Sequence, residues 1–313
     1  MKLLVVIPSL NEERTLGSLI ENIPKKIENV DVVDALVIDD GSEDNTSLVA
    51  TSAGAMVVRH TQNLGVGRAL QTGINYSLKH GYDLMVNIDA DLQFDPKEIE
   101  LLVDPVVKGA ADVAIGSRFL SKSPIKNLPA TKKWGNSIVS FIVSKIIGQK
   151  FYDVSSGFRC YSRSALQCIS IHSNFTYTQE SFVNLAYWGF ALIEIPVSVV
   201  YHEDRDSRVV KSIGKYGWNI LCILLGLYRD YYPLKFFSLI SIILIIPSAI
   251  FGFIFIAHYL ATGLFAGYLF AGIISGFLFS LSTLTFFIGV LAQMLVRLRV
   301  NQERILNRMN SDK

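Results

Sequence analysis

Formal charge is missing from one long stretch of this chain: between Phe236 and Val296 there is no Asp, Glu, Lys or Arg. A helix that crosses a bilayer needs about 20 apolar residues. These 61 residues therefore hold two crossings, placed at Phe236–Ala257 and Phe265–Val296, with an uncharged turn at His258–Leu264. Cysteine is scarce. Cys160, Cys168 and Cys222 are odd in number and lack metal-ligand spacing, which argues against a disulfide framework and fits reduced thiols. There is no basic tract in the first 200 residues and the net charge is only +2, so nucleic-acid binding has little support. Lys2 is followed only by Leu3–Ile7 before Pro8, too short an apolar run for a signal peptide, and none is expected. Neither G-x-G-x-x-G nor Walker A follows the first apolar run; Pro8-Ser9-Leu10-Asn11-Glu12 stands there instead, against a dinucleotide or P-loop site.

Basic residues flank the apolar stretch on both sides. Arg229 and Lys235 precede it, and Arg297, Arg299, Arg304 and Arg308 follow it. The positive-inside rule then makes the chain an integral membrane protein whose two flanks are both cytoplasmic. The expected division is a soluble domain over 1–216, a linker over 217–235, a hairpin of two membrane helices over 236–296 and a basic tail over 297–313. Within the linker, Trp218, Ile220, Leu221, Leu224, Leu225 and Tyr228 form an apolar stripe. It reads equally as an interfacial helix or as a helix packed on the soluble domain.

The soluble part alternates. Leu3–Ile7, Ala35–Ile38, Met56–Val58, Leu84–Ile88 and Val113–Ile115 are short apolar runs, mostly separated by helical patterns. Near-continuous Val, Ile and Leu suggest strands buried on both faces of a mostly parallel sheet, hence an α/β fold. Leu16, Leu19, Ile20 and Ile23 follow helical spacing, with Asn11 as the expected N-cap. Ala69–Leu78 reads as a second helix, and Asp95-Pro96-Lys97-Glu98 as the start of a third, which explains Asp95 without chemistry. In open α/β sheets, ligands bind outside the carboxyl ends of the strands. Those ends are polar here: Pro8 to Glu12, Asp39-Asp40-Gly41-Ser42, Asn63 with Gly65 and Gly67, Asp89-Ala90-Asp91, and Gly116-Ser117-Arg118. Five such ends argue for one shared site.

Asp89-Ala90-Asp91-Leu92-Gln93 carries the sharpest chemistry. In an extended segment alternate side chains share a face, so Asp89 and Asp91 can approach one cation, with the Gln93 amide oxygen two residues on. Hard oxygen donors of this kind suit Mg²⁺ or Mn²⁺. On spacing alone, a structural polar loop is the equal alternative.

Taken in order, V-I-P-S-L-N-E-E near the start, V-I-D-D-G-S-E-D-N-T, N-L-G-V-G-R-A, D-A-D-L-Q, G-S-R and S-S-G-F-R resemble the GT-A fold of glycosyltransferase family 2. The nearest resemblance is to its dolichol-phosphate mannose synthase-like, polyprenyl-phosphate members, and it extends across roughly residues 1–216. The resemblance implies a UDP- or GDP-linked sugar donor. Pro8, Leu10 and Glu12 would line the base and ribose pocket together with Asp39. Asp39 and Asp40 point to opposite faces if extended, so one should touch the nucleotide and the other hold the turn; Asp39 is assigned the contact. Asp89, Ala90, Asp91 and Gln93 would lie at the diphosphate, with Asp89, Asp91 and Gln93 holding the metal. Arg118 would face phosphates, the alternative being a surface salt bridge. Ser155, Ser156, Arg159 and Arg205 are assigned to the acceptor side, and Thr178-Gln179-Glu180 corresponds loosely to an acceptor-side carboxylate segment. Arg208 and Lys215 would close over the phosphates, although Ser212-Ile213-Gly214-Lys215-Tyr216 departs from the family's serine-lysine motif. A solvated or lipid-facing patch is the other reading of that run.

The expected activity is inverting transfer of one sugar to polyprenyl phosphate, with Asp91, Arg118 and Lys215 as the catalytic set. A family 2 transferase acting on a lipid or glycan hydroxyl is the enzymatic alternative, although the processive Q-x-x-R-W motif is absent. A weakly active membrane scaffold recruiting a flippase or transferase is the non-enzymatic one. The expected partners are the donor, the lipid phosphate and the bilayer, and self-association is left open. Neither the base nor the hexose follows from these residues.

Overall fold

The computed structural model describes residues 1–120, 130–169, 177–200, 221–222, 225–226 and 228–311. The chain forms two compact units, Met1–Ile220 and Leu221–Lys313. The first is built on a seven-stranded sheet: β1 (Lys2–Ser9), β2 (Val32–Asp39), β3 (Met56–Arg59), β4 (Leu84–Asn87), β5 (Val113–Ser117), β6 (Arg159–Ser162) and β7 (Leu192–Pro196). The spatial order is β3-β2-β1-β4-β6-β5-β7. β6 runs against its neighbours β4 and β5, while the other pairings between these strands are parallel.

All five expected strands form, and the central ones are buried as their composition requires. Leu3 to Ile7, Leu36 to Ile38 and Met85 to Val86 have no exposed surface. Helices cover both faces. The sheet face bearing Leu3, Val5 and Ile7 packs with Leu16, Leu19 and Ile20 of α1 (Leu16–Glu21), and with Ile99, Leu102, Val103 and Val106 of α4 (Ile99–Val107). Between them in sequence come α2 (Thr46–Ser52) and α3 (Val66–Lys79). α3 covers the opposite face, where Gly73 allows close approach: a Cβ there would lie 2.5 Å from Val6 Cγ1. Asp95 caps a short 3₁₀ turn, Pro96–Glu98, its carboxylate accepting from Lys97 N–H at 3.0 Å. The remaining helices of this unit are α5 (Ala130–Ile147), α6 (Arg163–Cys168) and α7 (Tyr177–Tyr187).

Asn11 does not cap α1. That helix begins at Leu16 after Thr15, and Asn11 takes a left-handed φ of 55°. Its side-chain Oδ1 accepts from Glu43 N–H at 2.9 Å, and its backbone N–H donates to Ser42 Oγ at 3.0 Å. An asparagine tolerates this conformation, so the residue stitches the first loop to the turn after β2. Two further strands, β6 and β7, lack the continuous Val, Ile and Leu runs that mark the others: β6 reads Arg-Cys-Tyr-Ser, and β7 is interrupted by Glu194 and ends in Pro196.

The second unit contains α8 (Pro233–Thr262) and α9 (Leu269–Ser311). Pro233–Thr262 and Leu269–Leu298 are long and apolar enough to cross a membrane, and both are largely uncovered by protein. Ser248 and Ser275 exchange hydroxyl-to-carbonyl bonds of 2.9 and 2.8 Å, and Ser241 and Ser282 pair at 2.8 Å. Small hydroxyl residues let two apolar helices approach and satisfy one another where water is absent. α9 runs on through the basic segment, so 297–311 continues the helix.

Gly41, in the turn after β2, has φ +80°, and a Cβ there would meet the Gln62 carbonyl carbon at 2.7 Å. Gly41→Ala should therefore destabilise the soluble unit by about 2–4 kcal/mol, from left-handed strain plus backbone overlap. Thermal unfolding of the purified protein followed by circular dichroism checks this, and an unchanged midpoint would contradict it.

Candidate active site

Parallel strands deliver their carboxyl ends to one edge, and the polar segments noted in the sequence gather there. At the end of β2, Asp39 accepts from Ser42 N–H at 2.8 Å and from the Ser47 hydroxyl, with Arg59 Nε at 3.6 Å. Its side chain is 1% exposed. Burial alone would raise its pKa, but the Ser47 and Ser42 hydrogen bonds and the Arg59 charge outweigh it and hold the value below 3.8. In this structure Asp39 holds the turn, its carboxylate buried against Ser42 and Ser47. Asp40 is also engaged. Its oxygens accept from Leu64 N–H at 3.0 Å and Gly65 N–H at 2.8 Å, and lie 2.6 Å from His60 Nδ1. His60 Nε2 in turn meets Thr72 Oγ1 at 3.0 Å. The glycine-rich segment 63–67 is thus tied to β2 by one carboxylate.

Pro8, Leu10 and Glu12 follow along the β1 end, each partly exposed. Glu12 N–H donates to Thr46 Oγ1 at 2.9 Å, and its carboxylate accepts from Thr15 Oγ1 at 3.0 Å. β4 ends in Asn87, fully buried, whose amide donates to Gly157 O at 2.7 Å and so fixes the loop before β6 against the metal-type motif. Beyond it, Ala90 turns into the core. Asp91 Oδ1 accepts from Gln93 N–H at 3.0 Å, a turn that puts Leu92 at φ 58°. Asp89 is pushed up to about 7, first by removal from water and then by the Asp91 charge, with Glu12 adding and Arg118 and Arg159 opposing. Two carboxylates this close resist joint ionisation. The donor set, two carboxylates with the Gln93 amide, fits a hard divalent cation, which would relieve that repulsion. Among the described residues, no group of three His, Cys, Asp or Glu side chains forms a metal cluster.

On the other side of β4, Arg118 follows the end of β5. Its Nε and Nη2 donate to the Asp153 carboxylate at 2.6 and 2.8 Å, and its Nη2 also to Ser155 Oγ at 2.7 Å. Asp153 is itself held, its N–H donating to Glu194 of β7 at 2.7 Å. Glu194 is raised, first by burial, with the Asp153 charge adding, although the N–H groups of Tyr152 and Asp153 oppose the shift. Asn87, Asp153 and Glu194 are site-building residues that the sequence reading did not single out. The one available signal was a polar residue within or beside each apolar or motif run.

Arg159 requires correction. It is 1% exposed, and its guanidinium donates to Ser156 O, Thr178 O, Ser181 Oγ and Val154 O at 2.8–3.0 Å. It braces the 154–157 loop against α7 from inside and does not face an acceptor. Ser156 is likewise buried. Ser155 alone of that motif reaches the site edge, beside Arg118. Thr178 and Gln179 belong to the first turn of α7, where the Thr178 carbonyl serves Arg159, and Glu180 follows them. Arg205, Arg208 and Lys215 lie outside the described residues. The chain enters that segment from beside the metal-type motif, because Val200 N–H donates to Gln93 O at 2.9 Å.

Residues 4–170 match the sequence model of glycosyl transferase family 2, and the chain belongs to that family. It is a glycosyltransferase. An uncharacterised protein of Methanocaldococcus jannaschii is 36% identical over 224 residues, covering 70% of this chain and 89% of that protein. The UDP-N-acetylglucosamine–dolichyl-phosphate N-acetylglucosaminyltransferase of Methanococcus voltae is 28% identical, covering 72% and 97%. The polyprenol monophosphomannose synthase of Mycolicibacterium smegmatis is 29% identical, covering 67% and 81%. Among solved structures, glucosyl-3-phosphoglycerate synthase of Mycobacterium tuberculosis, crystallised with UDP, shares the fold with a TM-score of 0.56 at 23% identity, over 72% of this chain and 79% of that one.

Two expectations follow from the ion pairs. Because the folded-state value of Asp39 lies below 3.8, its ionised form adds stability above that pH, and the contribution fades as pH falls through the folded value. Denaturant unfolding should therefore find Asp39→Asn less stable than wild type at pH 7, with the gap closing in acid. Asp153→Asn should cost about 3 kcal/mol by leaving the Arg118 charge unpaired where it is mostly buried. The double variant Arg118→Met/Asp153→Asn should recover part of that loss; equal stabilities of single and double variants would uncouple the two residues.

Proposed function

We propose that this transferase moves one sugar, with inversion, from a UDP- or GDP-linked donor to a polyprenyl phosphate at the cytoplasmic leaflet. The observation that carries the reading is the Asp89–Asp91 pair at the sheet edge, in a chain that also holds two helices fit to span a membrane. The lipid-phosphate acceptors in the names of the Methanococcus and Mycolicibacterium relatives support it. So do the basic flanks of the hairpin, which favour cytoplasmic ends.

Asp89, Asp91 and Gln93 would hold Mg²⁺ or Mn²⁺. The same fold in the mycobacterial synthase has been crystallised with Mn²⁺ and UDP. Bound there, the cation supplies Lewis-acid stabilisation of the departing nucleoside diphosphate. The chain's own groups do the rest. Pro8, Leu10 and Glu12 line the base and ribose pocket, while Asp39 and Asp40 shape its turn and the glycine-rich loop without touching the nucleotide. Arg118 and Ser155 bring positive charge and a hydroxyl to the acceptor side. By the family resemblance, Arg208 and Lys215 would close over the phosphates, and Arg205 would serve the acceptor side.

The acceptor sets the demand for proton chemistry. A sugar hydroxyl must lose a proton during attack and needs a positioned base. A phosphate monoester, with a second pKa near ~6, is already mostly dianionic at neutral pH. It needs cations to place it, and Arg118 with the basic segment meets that need better than a general base would.

Purified full-length protein, supplied with Mg²⁺ or Mn²⁺ and a panel of UDP- and GDP-sugars, should glycosylate polyprenyl phosphate. Asp91→Asn should lower kcat by roughly 10²–10³-fold while leaving thermal unfolding near wild type. Undiminished turnover would remove the metal assignment, and product formed only on a hydroxyl acceptor would remove the lipid-phosphate one.

A further inference from the structure

Arg159 is a buried cation whose hydrogen-bond partners carry no charge. It accepts no water, being 1% exposed, and its guanidinium donates to the carbonyls of Ser156, Thr178 and Val154 and to the Ser181 hydroxyl. The Phe182 ring covers it at 4.9 Å. Among the described residues no carboxylate lies within salt-bridge distance of it. Carbonyl oxygens solvate such a group but leave its net charge in place, and a buried charge of that kind needs a counter-charge.

Sheet geometry supplies one. Leu84, Val86, Ile88 and Ala90 turn into the core that α1 and α4 share, as do Phe158 and Cys160 of the opposing segment. Alternation therefore puts Asn87, Asp89 and Arg159 together on the other face. Asn87 and Arg159 are direct partners in the β4–β6 pairing. Asp89 is then the diagonal neighbour of Arg159, at about 7–8 Å and within reach of a long side chain. The electrostatics agree: burial and then Asp91 raise Asp89, and the charges of Arg118 and Arg159 oppose them. The two arginines differ in what they have left to give. Arg118 is already paired with Asp153. The charge of Arg159 is unspent.

We propose that Arg159 is a positioning residue acting through Asp89: its charge is the internal counter-ion of the Asp89–Asp91 pair and holds down that pair's affinity for a divalent cation. The inference rests on the reading of Asp89, Asp91 and Gln93 as the cation's ligands. Charges buried this deeply are poorly screened, so a fixed cation behind the carboxylates repels a mobile one in front of them. A divalent ion held too tightly would retain the nucleoside diphosphate it bridges, and a moderated affinity favours release of that product.

Mn²⁺ binding to the full chain in phosphatidylcholine nanodiscs tests this without any turnover. It is read from the loss of the free-ion paramagnetic resonance signal, with empty discs subtracted, in mildly alkaline buffer so that protons compete little for the carboxylates. Wild-type protein should bind saturably, and Asp91→Asn should lose that binding. Arg159→Met should bind about 10-fold more tightly, whereas Arg159→Lys, which keeps the charge, should stay near wild type. Arg159→Met also loses the bracing of the 154–157 loop, so Ser181→Asp provides an independent variant. Its carboxylate would stand against Nη1, where Ser181 Oγ accepts at 2.9 Å, cancelling the charge while the arginine stays in place. It should tighten Mn²⁺ binding too, and it decides the matter alone if Arg159→Met does not fold. A purely structural arginine predicts weakened binding in both Arg159 variants and no gain in Ser181→Asp; unchanged or weaker affinity in Ser181→Asp would overturn the proposal. Wild-type protein without Asp91-dependent binding would overturn the cation site itself, a distinct failure.

Discussion

Keeping carboxylates out of water along one edge of the sheet is the constraint on which the rest of this structure depends. Asp39, Asp40 and Asp153 are buried there, and an ionised carboxylate removed from water must be compensated. Each finds a different solution. Asp39 takes a backbone N–H and a serine, Asp40 takes the N–H groups of the glycine-rich loop, and Asp153 takes Arg118. The compensation is what gives the loops their shape. Asp89 is the exception, because its neighbour Asp91 repels it and Arg118 and Arg159 offset only part of its cost. Asp89 and Asp91 thus carry a mutual repulsion that the other carboxylates of this edge do not.

The arginines divide along the same line. Arg159 is enclosed by carbonyl oxygens and a serine, so its charge acts through distance and its geometry serves the fold. Arg118 is bound on one side by Asp153 and Ser155, which sets its orientation at the mouth of the site. From sequence both were expected at the site, since each is an arginine closing a short polar motif. The difference is burial, and burial depends on α7 and the 154–157 loop, which are remote in sequence from the metal-type motif.

Much of the fold was legible because it depends on local pattern. The five parallel strands followed from continuous Val, Ile and Leu runs, and the hairpin from a stretch without charge. The Asp95 cap followed from the proline after it and a glutamate three residues on. What escaped was short or contrary to pattern. β6 and β7 lack a continuous apolar run, and Asn11 adopts a left-handed conformation that serves a tertiary contact instead of a helix cap. Helix α5 has its polar residues inside, so a reading that sends polar groups to solvent assigns its faces backwards.

Residue order alone was enough for the class of fold, the polar strand ends, the paired aspartates and the apolar hairpin, because each depends on neighbours within a few positions. Which aspartate is spent on structure, which arginine is sealed inside and which face of α5 meets the outside were decided only when distant segments packed. Those outcomes depend on who supplies the hydrogen bonds and who removes the water. The partners lie 8 residues away for Asp39 and Ser47, 22 for Arg159 and Ser181, and 35 for Arg118 and Asp153. Compensation of a buried charge belongs to the folded surroundings, and no local stretch of sequence contains it.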